Sequence, residues 1–444
     1  MGFITFEGAA PPVPLWTAAP FVLLLLLIAT GPLLFKHFWH HHYPKISLAL
    51  GALVAFYYIA FRNEGGHGVH KVTHAGIEYF AFVALIGSLF VVASTILLKI
   101  NSAGTTAANA TLLGFASVLA NLVGTTGASM LLLRPYLRMN RGHFASHHLV
   151  FFIFIVANVG GALTPIGDPP LFLGYLKGIP FFWTAENLAL EWMVTNGALL
   201  LLFVIFDRIH DRRSRREITK VERFGLEITG LRSFVFLFAI LGLVFVQNEP
   251  MVKSHQPVST VVVAALMILL AAIAFVAANK DILRANEFTF DPIKEVAFLF
   301  AGIFLTMIPA LEYLEQNATA LGIESPLQFY FATGILSAFL DNAPTYLTFL
   351  TTECAVNNVS FDDTKGFIEH LQSAKGSLNI QAISCGAVFF GAMTYIGNGP
   401  NFMVKSITEA AGHKCPSFFG YLLKWAVPVL LPVLVLVGIV FYYL

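Results

Sequence analysis

Asp168 and Asp341 each stand in the middle of a long apolar stretch, where an acidic side chain has little water to keep its charge. Asp168 lies in Thr164-Pro165-Ile166-Gly167-Asp168-Pro169-Pro170, and Asp341 opens Asp341-Asn342-Ala343-Pro344-Thr345. Thr125, Thr126, Thr394 and Asn398 occur in matching settings elsewhere in the chain. Every one of these side chains offers oxygen or amide, and none offers sulfur or imidazole. Oxygen sets of this kind suit hard cations such as Na+, whereas zinc and copper select softer ligands. A carboxylate kept at depth in an apolar medium is retained for a partner or a function. One that holds a proton when empty and a cation when occupied performs exchange by competition alone.

Each candidate also has a plainer reading. Asp168, followed by two prolines, fits a helix N-cap, which would make it the permanent cation ligand and leave Asp341, with no such seat, as the proton carrier. Asn342, Asn398, Thr164 and Thr394 could serve to repair backbone hydrogen bonds, and Asn121 and Asn158 read as helix-packing glue. Glu78 and Glu295 read as snorkelling or salt-bridged residues near opposite faces. The run His40-His41-His42 reads as a solvated interfacial loop, and His143, His147 and His148 as a second polar cluster with a possible pH-sensing use. No HExxH, GxSxG or paired Ser–His pattern occurs, so the chain is not read as an enzyme, and nothing implies a cofactor.

Positioning these groups requires interrupted helices. Pro165, Gly167, Pro169 and Pro170 break the segment 148–177, and Gly397 with Pro400 breaks 378–412. A break at membrane depth leaves backbone groups that lipid cannot satisfy, so it survives only inside protein or beside a wet cavity. The stretches 109–133 and 326–352 carry polar centres and read as re-entrant hairpins, with Thr125 and Thr126 at one tip and Asp341, Asn342 and Thr345 at the other. A half-helix of about ten residues rises roughly 15 Å, which brings tips and breaks together near the midplane.

The composition agrees. The 444 residues are 57% hydrophobic and 11% charged, about half the charge of a soluble domain, and the apolar blocks have the length that crosses a bilayer. The fold class is therefore all-α and polytopic, with about ten transmembrane helices, 232–248 among them, plus the two hairpins. The first 18 residues lack Lys and Arg, so 20–35 reads as a retained first span rather than a signal peptide. The net charge of +1 gives no reason to expect nucleic acid, and the three cysteines form no CxxC pair.

The chain also contains itself twice. Glu78 and Glu295 stand 217 residues apart, and Ala120–Ala128 lies over Ser337–Thr345 at the same offset. Gly161–Pro170 lies over Gly391–Pro400 at an offset of 230, with six of ten residues identical. The expected organisation is a first repeat 1–206, a basic cytoplasmic linker 207–231 and a second repeat 232–444. Five crossings per copy would invert the second, as in many secondary transporters. Basic residues then crowd one side, which makes it cytoplasmic and puts both termini outside. Counting the hairpins as full spans gives an equally lopsided tally with the opposite orientation.

The two hairpins, the two Thr-x-Ile-Gly breaks and the Asp341-Asn342-Ala343-Pro344 tip resemble the ion transporter superfamily of citrate transporter-like proteins. Both tips lack the Ser-Asn-Thr of its dicarboxylate branch, and the Asp-Asn-x-Pro tip with Gly167-Asp168 is more similar to NhaD-like Na+/H+ antiporters. The resemblance implies a secondary transporter of the inner (cytoplasmic) membrane exchanging Na+ or Li+ for H+, with citrate or another anion as the alternative cargo. It implies that Asp168, Asp341, Asn342, Thr164, Thr394 and Asn398 line a cation path. It also implies a homodimeric scaffold carrying a mobile, elevator-like domain, with the lipid bilayer and small inorganic cations as its other partners.

Overall fold

The computed structural model describes residues 12–214, 225–247, 257–360 and 363–443. Apolar blocks become helices because in hydrocarbon each backbone N–H and C=O has to be paired within its own segment. The protein is all-α and polytopic. Among the described residues, ten helices are long and apolar enough to cross a membrane. They differ from the expected ten in one place: Ser233–Gln247, with 15 described residues, is too short to count, and Thr106–Met139 is counted instead.

Thr106–Met139 is not a straight rod. Its 34 residues would span about 51 Å as one helix, yet Asn109 and Asn140 exchange two amide hydrogen bonds of 2.8 Å each. The chain folds back at Gly124 (φ 79°, ψ 155°), a backbone region open essentially to glycine alone. The second folded-back pair, Pro326–Phe339 and Asn342–Val356, packs arm against arm around Leu340 and Asp341. A capping box of Ser325 and Gln328 starts its first arm.

Both expected helix breaks are present. The first separates Ser146–Ile155 from Pro169–Leu176, with a 3-10 turn Val159–Leu163 between them. The second separates Ala374–Phe390 from Gly399–Ala410, with a 3-10 turn Gly391–Met393. At each break two glycines six residues apart touch through their backbones. A Cβ on Gly167 would lie 2.1 Å from the Gly161 carbonyl oxygen, and one on Gly397 would lie 2.6 Å from that of Gly391.

Long helices frame this centre in reciprocal pairs. Lys36–Phe61 packs on Asp291–Asn317 as Val258–Ala277 packs on His67–Ser94, and His67–Ser94 also packs on Asp291–Asn317. Asn342–Val356 lies against Pro169–Leu176, and Gly399–Ala410 against Thr106–Met139. Glu78 accepts a 2.7 Å hydrogen bond from Lys177 at the end of the first half-helix, tying that half-helix to the frame.

Two polar segments differ from the sequence reading. The helix Trp183–Ser214 continues through the start of the expected linker, and Gly225–Thr229 at its far end pairs antiparallel with Leu97–Asn101. Residues 215–224, with Arg215, Arg216, Lys220 and Arg223, lie outside the described residues. Asp207, at the start of the expected linker, is fully buried, and its Oδ1 faces Nε2 of both His147 (2.9 Å) and His148 (3.1 Å). Nδ1 of His148 accepts from the Ala145 N–H at 3.1 Å, so the ring proton sits on Nε2, toward the carboxylate, and leaves no lone pair there for a metal. The His40-His41-His42 run is helical rather than looped, because the helix begins at Lys36, and the rings of His41 and His42 bond back to carbonyls four residues earlier.

The glycine contacts at the breaks predict unequal tolerance. Gly167→Ala forces a Cβ into a carbonyl that cannot move away, at a cost of roughly 1–3 kcal/mol or more; Gly76→Ala meets nothing within 4 Å. Thermal unfolding in detergent will show a large loss for the first and almost none for the second. Equal melting temperatures would contradict the packing.

Candidate functional site

Four separate pieces of chain converge on Asp168. Its backbone is extended (φ −141°, ψ 143°) and occupies the N-cap position of Pro169–Leu176. Its side chain, however, makes no capping bond, which overturns the N-cap expectation for the carboxylate. The cause is local. Pro169 and Pro170 have no N–H to offer, and the Leu171 N–H is taken by the Asp168 carbonyl at 3.1 Å.

The freed carboxylate is held from three directions. Oδ1 accepts from Thr125 Oγ1 at 2.9 Å and from Asn398 Nδ2 at 3.0 Å, and Oδ2 accepts from Asn342 Nδ2 at 2.6 Å. Thr125 comes from the first hairpin, Asn342 from the tip of the second, and Asn398 from the second break. Asp168 is wholly buried, and its three partners are each about 1% exposed. None of these partners carries charge. The meeting residues are those that the internal repeat pairs: Asn342 is Thr125 plus 217, and Asn398 is Asp168 plus 230.

Asp341 has the capping role that the sequence assigned to Asp168. Its Oδ1 accepts from the Ala343 N–H at 3.1 Å, at the N-cap of Asn342–Val356. A helix N-terminus favours a negative charge, so the expected seats are exchanged: Asp341 is the capped carboxylate and Asp168 the one without a cap. Asp341 is half-buried and close enough to Asp168 for the two charges to repel.

The threonines of the breaks do backbone work. Thr164 Oγ1 donates to the Asn121 carbonyl at 2.6 Å and accepts from the Gly167 N–H at 3.1 Å. Thr394 Oγ1 donates to the Ala338 carbonyl at 2.6 Å and accepts from the Gly397 N–H at 3.1 Å. Each thus latches a break to the first arm of its hairpin. Thr345 bonds the Asp341 carbonyl at 2.9 Å. The tip of the first hairpin is pinned by Thr125 N–H to the Gly167 carbonyl at 2.8 Å. Thr126, Pro165 and Gly167 line a narrow cavity beside that tip, and Pro400 sits in the first turn after the second break.

A second layer of amides extends from the centre. Asn398 Nδ2 also donates to Asn158 Oδ1 (3.2 Å); Asn158 donates to Asn401 Oδ1 (2.7 Å), and Asn401 to the carbonyls of Gly391 and Thr394. Asn158 therefore links the two breaks rather than only packing helices. Asn401 went unnoticed in the sequence because its repeat counterpart is Leu171, so no pairing drew attention to it.

The atoms fit a small hard cation. Asn342 Oδ1 is buried and has no hydrogen-bond partner, an unsatisfied acceptor that costs about 1–3 kcal/mol. It belongs to the amide whose nitrogen holds Asp168 Oδ2. A cation at the carboxylate would satisfy such an acceptor and replace neutral donors with charge.

If Asn342 bonds a charged carboxylate, Asn342→Leu will cost about 1.5–3 kcal/mol beside native Asp168 and clearly less in an Asp168→Asn background. A double-mutant cycle by thermal unfolding in detergent measures the difference. Additive losses would mean that the two side chains do not interact.

The family model described as "Putative citrate transport" matches residues 10–442, nearly the whole chain. No curated protein matches the chain. With its helical, membrane-spanning architecture, the chain belongs to that family and so to the citrate transporter-like membrane transporters.

Proposed function

We propose that this transporter exchanges Na+ (or Li+) for H+, with Asp168 as the seat the two ions share. The observation that carries this reading is the Asp168 carboxylate, fully buried and bonded only by neutral donors from both hairpins and the opposite break. An uncompensated charge there is costly, and either a proton or a cation removes the cost. Occupancy by one excludes the other, which is sufficient for coupling. Asp341, less buried than Asp168 and seated on a helix N-terminus, draws cations in and passes them to Asp168.

Two inverted copies, 1–206 and 232–444, would give the pocket its approximate twofold character. The reciprocal helix pairings support that relation. On this reading the hairpins and broken helices move as one body against the long helices, in a homodimer of the cytoplasmic membrane with both termini outside.

Citrate is the second reading, favoured by the family description. Against it stands the chemistry of the centre. A tricarboxylate would face Asp168 with no basic side chain among that residue's partners. The prolines at 169, 170 and 400 remove N–H donors from the half-helix N-termini that would otherwise hold an anion.

Everted vesicles with a pH-sensitive dye test the choice. Na+ or Li+ will collapse a preformed proton gradient, and Asp168→Asn will abolish the response while Asp341→Asn weakens it. Because protons compete for the seat, lowering the pH will raise the apparent KM for Na+, by about tenfold per pH unit in the acid limit for one proton. A gradient collapsed by citrate, and not by Na+, would replace this reading with the anion one.

A further inference from the structure

Glu191, in the helix Trp183–Ser214, is a carboxylate that the scheme above does not use. It is 4% exposed. The titratable groups facing it are Cys385 of Ala374–Phe390 and Tyr442 of the last helix, with Tyr330 behind Tyr442 at a ring separation of 5.1 Å. All are acids, and among the described residues no Lys, Arg or His faces it. Tyr442 is 1% exposed, and its hydroxyl faces the Glu191 carboxylate and the Cys385 thiol. A carboxylate in such surroundings is expensive to keep charged and has no cation to neutralise it.

A polar track leads to it from outside. Asn187, Glu191 and Thr195 recur every four residues on one face of their helix, and Ser377, Gln381 and Cys385 do the same on the helix Ala374–Phe390 packed against it. Gln381 Nε2 donates to Ser377 Oγ at 3.0 Å, and both reach Asn187 Oδ1 at 3.5 Å. Asn187 and Ser377 in turn line a cavity with Trp183, Glu186 and Gln372. Glu191 lies one helical turn, about 6 Å, beyond Asn187. Cys385 beside it is six residues, about 9 Å, short of the second break. Glu191 is thus part of the way from the cavity to the Asp168 centre.

We propose that Glu191 is a proton-binding site on a polar path from this cavity toward the Asp168 centre, taking up and releasing the transported proton. The inference rests on the proton-exchange reading for its role in transport, though not for its existence as a protonatable site. No bond other than that to the proton changes: the carboxylate gains H+ from water in the cavity and later gives it up.

The test uses the full-length protein in two assays. In proteoliposomes, Glu191→Gln will slow Na+-driven proton movement by about tenfold or more while Na+/Na+ exchange stays near the native rate, and Glu191→Asp will restore part of the proton flux. In detergent, infrared difference spectra between acid and alkaline samples will contain a protonated-carboxyl band that disappears in Glu191→Gln and moves in Glu191→Asp. Unchanged proton flux in the Gln variant, or the absence of any band that responds to the two substitutions, overturns the proposal. Should Glu191→Gln fail to fold, Glu191→Asp decides alone: native flux and an unshifted band sink the idea. If the native protein moves no protons with Na+, the exchange reading fails, and the infrared titration still decides whether Glu191 binds a proton.

Discussion

A single carboxylate in a place without water sets the demands that the rest of the molecule meets. Asp168 cannot be solvated by lipid, and its own half-helix gives it nothing because two prolines and its own carbonyl remove the nearby N–H groups. It has to be held by side chains from elsewhere. The chain brings two hairpins and a second helix break to the same point, each delivering one neutral donor. Three hydrogen bonds orient the carboxylate without cancelling its charge. That leaves a net charge available to a mobile ion, where an Arg or Lys partner would have neutralised it permanently.

Bringing four interrupted elements together in a membrane creates a second demand, since every break exposes backbone. The protein answers with the same device twice. A pair of glycines lets the chain cross itself at van der Waals distance, and a threonine hydroxyl reaches from the break to a carbonyl on the neighbouring hairpin. The amide chain of Asn398, Asn158 and Asn401 then ties one break to the other. The donors around Asp168 are therefore attached to elements that are bonded to one another.

Much of this was legible in the sequence because the chain repeats itself. Aligning residues 217 and 230 apart pairs Thr125 with Asn342 and Asp168 with Asn398; Asn398 bonds Asp168 directly, and Thr125 and Asn342 both donate to it. Gly124, Gly167 and Gly397 announced the breaks by type alone. Where the reading failed, the cause was competition among local bonds. Asp168 before two prolines looks like a cap, but an N-cap carboxylate needs N–H groups that those prolines lack, whereas Asp341 finds one at Ala343. Position 207 reads as the start of the polar linker, yet the helix Trp183–Ser214 continues through it and turns Asp207 toward two histidines. Asn401 gave no signal because its counterpart in the other copy is Leu171, and Glu191 gave none because a lone polar residue on a long helix becomes informative only once its neighbours are known.

The central claim is that one site holds either a proton or a sodium ion. Its most direct measure is the proton balance of the purified protein in weakly buffered detergent solution when NaCl is added. The account predicts that Na+ and Li+, but not choline chloride, release protons from the protein, and that a chain carrying Asn at position 168 releases none. No release from the native protein, or release on adding citrate in place of sodium, would contradict it.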